Sequence, residues 1–109
     1  MTEPELNPTT VAFRLKRAEH FAQAWRVHAK RLQALANNPR TPPLVRHEAI
    51  TEAETAAGIV AQRATEMAQM AKARGYPTWE ADPKIGPLVV EIRAVESALQ
   101  FIVEALRKQ

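Results

Sequence analysis

Residues 85–106 read IGPLVVEIRAVESALQFIVEAL, and the reading of this stretch decides the fold. Its run of β-branched residues between Leu88 and Val95 suits a strand. The large aliphatics, however, fall at Ile85, Leu88, Ile92, Val95, Leu99, Ile102 and Leu106, spaced by three and four through the whole segment. That period puts them on one side of an α-helix, whereas a strand would alternate every second residue. The spacing therefore predicts a helix beginning near Pro87 and reaching the end of the chain.

Two further helices are expected upstream. Asn7-Pro8 combines a good N-cap residue with proline at the first helical position, where its missing N–H costs nothing. From there Val11, Leu15, Ala18, Ala22, Trp25, Ala29, Leu32 and Ala36 form one stripe, with Phe21 and Leu35 at its edge, until Asn37-Asn38-Pro39. Thr41-Pro42 repeats the cap-then-proline pattern and, apart from the adjoining Pro43, opens a segment with no further proline before Arg74. Its stripe is Ile50, Ala53, Ala57, Val60, Ala64, Met67 and Ala71, a seam of mostly methyl groups that lets a neighbouring helix approach closely. Gly58 weakens this helix unless a close backbone contact requires it. Lys72 and Arg74 favour a helix C-terminus, and Gly75 with Pro77 ends it. Residues 75–86 then form a proline-broken loop. The expected fold is all-α, an elongated antiparallel three-helix bundle, with residues 1–7 as a polar arm and residues 8–109 as a single domain.

Composition agrees with that reading. The 109 residues include 20 alanines and only 3 glycines, with 46% hydrophobic and 25% charged residues. Alanine has the highest helix propensity, and a chain of this size forms one domain. The absence of cysteine removes disulfides, thiolate metal sites and cysteine nucleophiles together. No apolar run approaches the ~20 residues of a membrane span. The opening MTEPELNPTT lacks a basic and apolar leader pattern, so a cytoplasmic location is expected.

Catalytic chemistry finds little support. Asp82 is the only aspartate, and the three glycines are isolated, so no phosphate-binding glycine loop exists. His20 and His28 are too far apart along a helix to hold one zinc ion as a pair, and His47, Glu48 and Glu52 read as a solvated first turn. The expectation is a non-enzymatic protein with no catalytic residue, metal, cofactor or small-molecule substrate.

Charge is more informative. The net charge is +3, yet residues 10–36 carry Arg14, Lys16, Arg17, Arg26, Lys30 and Arg31 against Glu19 alone. A one-signed helical face attracts phosphate or an acidic protein surface. The competing reading is an ordinary solvated face, or one neutralised by Glu48, Glu52, Glu54 and Glu66 of the second helix. Downstream, Lys72, Arg74, Tyr76 and Trp79 place two aromatics after two cations, the combination that holds single-stranded nucleic acid by stacking and backbone contact. Alternatively the two rings plug one end of the bundle. A second candidate surface lies on the third helix, where Val90 and Phe101 fall opposite Leu99 with Ala94, Ala98 and Ala105 beside them. Either this helix sits between the other two, or these residues face a partner or a second copy of the chain.

In size, alanine and arginine bias, lack of cysteine and lack of catalytic motifs, the whole chain resembles the small all-helical anti-CRISPR proteins of phages and mobile elements. That group shares no motif, so the resemblance assigns no residue. It implies stoichiometric binding to a CRISPR effector complex or its nucleic acid. Many members are acidic mimics of DNA. The basic first helix departs from that pattern and points instead to displaced single-stranded DNA, guide RNA or an acidic effector surface.

Overall fold

A computed structural model describes residues 8–108. The arm at residues 1–7 and the Asn7 cap lie outside the described residues. Three helices account for nearly all of the described chain: α1 (Pro8–Asn37), α2 (Pro43–Ala73) and α3 (Ile85–Arg107), with a short 3₁₀ turn at Trp79–Ala81 between the last two. They form the elongated antiparallel bundle that the spacing predicts, 52 × 24 × 22 Å.

α3 supplies most of the large, fully buried side chains of the core. Its stripe from Ile85 to Leu106 is buried at all seven positions, joined by Val89. α3 packs most extensively on α2 and less on α1. The facing side of α2 is almost all alanine, with Ala49, Ala53, Ala56, Ala64 and Ala71 buried alongside Val60, Met67 and Met70. Large aliphatics on one helix thus meet small residues on the other, which fills the space between closely spaced axes. In the first half of α2 the buried line runs through Ala49 and Ala56, leaving the expected Ile50 and Ala57 half-buried. Both lines have helical spacing, and alanines occupy enough positions that apolar character does not choose between them.

α1 contributes less. Val11, Ala22, Ala29, Leu32 and Ala36 are buried, with Leu15, Ala18, Phe21, Trp25 and Leu35 packed against the core from its rim. The Trp25 ring lies 5.8 Å from Phe21 and meets the His28 ring edge-on at 5.3 Å.

Two local expectations are corrected, and a third feature keeps its sequence reading. α2 begins at Pro43, one residue late, and Thr41 does not cap it. The buried Thr41 instead donates its hydroxyl to the Leu35 carbonyl at 2.8 Å, while its N–H reaches the Asn38 carbonyl at 3.2 Å. Pro42 and Pro43 have no N–H to satisfy, whereas the last carbonyls of α1 need donors. α3 begins at Ile85 rather than near Pro87, and the reason is Asp82. Its Oδ1 accepts the Lys84 N–H at 2.9 Å and the Ile85 N–H at 3.2 Å, tying down the entry turn. Gly58, finally, is exposed, and a Cβ there would meet nothing within 4 Å, so no close contact explains it.

Candidate interaction surfaces

The stretch from Arg74 to Gly86 is built as a latch. Gly75, at φ 95°, closes α2: its N–H reaches the Lys72 carbonyl at 3.0 Å and the Tyr76 N–H reaches that of Ala71 at 3.2 Å. This pair of bonds needs a left-handed residue, which glycine supplies without penalty. The chain then turns so that Asp82, fully buried, meets Arg74, whose Nη1 lies 3.2 Å from Oδ1 and 3.1 Å from Oδ2. Gly86 lets the 3₁₀ turn approach α3, since a Cβ there would sit 3.3 Å from the carbonyl oxygens of both Trp79 and Glu80.

This geometry corrects the reading of Lys72, Arg74, Tyr76 and Trp79 as one stacking surface. Arg74 is held by Asp82 and spans the Tyr76 ring at 5.6 Å, and Trp79 packs against the core. Of the four, Lys72 alone remains fully exposed. A buried aspartate at the mouth of the loop draws the arginine inward, and the Trp79 ring packs against the end of a thin core. Asp82-Pro83 carries the same cap-then-proline signature as the two upstream pairs, so the residue pinning this loop was readable.

The six cations of α1 are all exposed, but they do not form one face. Arg26 pairs with Glu91 on α3, and Arg31 pairs with Glu52 on α2 at 2.8 Å, with His28 Nε2 3.3 Å from the same carboxylate. Those partners lie on opposite flanks of α1. Arg17 stacks over the Phe13 ring at 5.9 Å. Glutamates of the second helix therefore neutralise α1 at one position, Glu52. Glu54 turns to Arg107 of α3 and Glu66 to Arg63 on its own helix. Among the described residues Arg14, Lys16, Lys30, Lys72 and Lys84 enter no ion pair. A groove at the latch end brings Lys16 together with Arg74 and Lys84, with Glu19 on its wall. Lys84 was not singled out from the sequence, because its position depends on the fold of the loop.

The outer face of α3 is open. Val90 is 58% and Phe101 66% exposed, Ala94 and Ala98 are exposed, and Ala105 is half-buried. α3 does touch both other helices, as one reading expected, but those contacts leave Val90 and Phe101 exposed instead of burying them. α1 and α2 both pack on the stripe side of α3, so the far side stays bare. At about 100° per residue the five residues fall within a sector of about 80°, about 22 Å long and free of charge. The sector continues into a groove against α1, where Ala94, Ala98 and Ile102 face Ala29, Lys30 and Gln33, with the Arg26–Glu91 pair on its rim. The two surfaces anticipated separately thus adjoin along α1 and α3.

Among the described residues no group of three or more His, Asp or Glu is placed to hold a metal ion, and no helix is long and apolar enough to cross a membrane. No protein-family model matches the chain, and no curated protein or solved structure is significantly similar to it.

Proposed function

We propose that this protein is a non-enzymatic binding module that docks on a protein partner through the outer face of α3 and its groove against α1. One observation carries the reading: Val90 and Phe101, the largest apolar side chains of that sector, stand more than half exposed in a charge-free strip. Contiguous apolar surface of this kind marks interaction sites, and aromatic side chains dominate the energy of such contacts. Arg26, Lys30 and Gln33 would form the polar rim that steers the partner. In an inhibitor of the anti-CRISPR type, the docked surface would belong to a CRISPR effector complex.

Immobilised wild type and Phe101→Asp, each checked for helicity by circular dichroism, form the test. A protein retained by the wild type should be identified, purified and titrated against both forms. A loss of at least tenfold in affinity with Phe101→Asp supports the reading, and equal affinity removes it.

A second reading is favoured by the unpaired cations at the latch end. Arg14, Lys16, Lys72 and Lys84 could engage the phosphates of nucleic acid, single-stranded or within a nucleoprotein, by charge and without stacking. Such binding must weaken steeply with salt, and each cation removed should reduce the salt slope by about one unit. Anisotropy titrations with single- and double-stranded DNA at two salt concentrations test it, and salt-independent or absent binding removes it.

A further inference from the structure

The order of side chains along the outer face of α3 names an occupant. Resting on the reading of that face as a docking surface, we propose that it pairs with the same face of a second copy, the two α3 helices running antiparallel about a twofold axis between Ser97 and Ala98. A twofold interface must be self-complementary. In this register residues whose numbers sum to 195 stand opposite one another. Val90 then meets Ala105 of the second copy, and Ala94 meets its Phe101. Each large exposed side chain faces a small one, so the two surfaces interlock instead of clashing.

The charges beside the strip obey the same symmetry. In an antiparallel pair the same flank of each helix meets across the axis. Arg93 and Glu104 both lie on the flank away from α1 and are both exposed. Their numbers sum to 197, within one turn of the required register, so each Arg93 comes beside the Glu104 of the other copy, twice. Competition for them is weak: Arg93 meets Glu96 on its own helix in a long ion pair of 3.8 Å, and Glu104 enters no ion pair among the described residues. A parallel arrangement would instead put Phe101 against Phe101 and leave Arg93 and Glu104 of one copy on the opposite side of the seam from those of the other. A single helix pair of this length lies at the small end of specific interfaces, so the association is expected in the micromolar range.

The chain has no cysteine, so single introduced thiols report the register directly. Sedimentation across micromolar to millimolar protein should show a monomer–dimer equilibrium, and Phe101→Asp should raise its dissociation constant at least tenfold. On oxidation Ala98→Cys should cross-link with itself, and Val90→Cys should cross-link efficiently only when mixed with Ala105→Cys. Arg93→Glu and Glu104→Arg should each weaken the dimer, and the two together in one chain should restore it. A chain that stays monomeric throughout overturns the second copy as occupant. Loss of protein binding in Phe101→Asp would then still uphold the docking face. Efficient self-cross-linking of Val90→Cys overturns the antiparallel register. A dimer that persists unchanged in folded Phe101→Asp overturns this face as the dimer interface.

Discussion

The α2–α3 hairpin and α1 are held in place by different physics. Between α2 and α3, buried large aliphatics of one helix pack on buried alanines of the other, and the fully buried Asp82 with its partner Arg74 locks the connecting loop. α1 lies on that hairpin through alanines and a few larger residues, with exposed ion pairs to Glu91 and Glu52 at its flanks. Buried apolar area stabilises by roughly 25 cal/mol per Å², whereas an exposed ion pair contributes about 0–1 kcal/mol. The contrast shows that a helix can be long, regular and conspicuously charged and still be the less firmly attached part of the molecule.

Substitutions can break or sharpen this contrast. The largest effect is expected at the latch. Arg74→Met leaves a carboxylate buried without its partner and should cost about 3–5 kcal/mol in urea unfolding. Adding Asp82→Asn should recover much of that loss, because the amide oxygen still caps the entry to α3. Within the core, Leu99→Ala on α3 should cost about 2–5 kcal/mol. Leu15→Ala on the half-buried rim of α1 should cost distinctly less, and equal values would erase the difference between the two regions. Gly58→Ala should stabilise by about 0.5–1 kcal/mol, since α2 has open space there and loses a helix-weakening residue. The smallest change belongs to the flanks of α1. Arg31→Gln should shift stability by less than about 1 kcal/mol, and the shift should shrink further in high salt.

The same contrast explains what could be read from residues alone. α3 was legible because its large aliphatics repeat without a break from Ile85 to Leu106. The ends of α1 and α2 were legible because proline, asparagine and glycine punctuate them. In the alanine-rich first half of α2 the buried line was not, since Ala49 and Ala56 are as apolar as Ala57. Cations on α1 could be counted, but their pairing with Glu91 and Glu52 depends on which flank meets which helix. That information is tertiary. The inward turn of Arg74 and Trp79 followed from Asp82, whose significance lay in the Asp82-Pro83 cap signature rather than in catalytic chemistry. Val90 and Phe101 could be placed opposite Leu99 from the helical period, and only the packing of α1 and α2 on the stripe side decided that they face outward.

The latch has a kinetic consequence as well. It joins positions 74 and 82, eight residues apart, so closing it fixes little chain entropy compared with the contacts of α1 on α3, such as Arg26–Glu91, 65 residues apart. The expected order of assembly is that the second and third helices zip together from their shared loop and the first completes its contacts with the third last. On unfolding the expected order reverses: α1 lifts away first, and the sides of α2 and α3 that it covers are the earliest part of the interior to meet water.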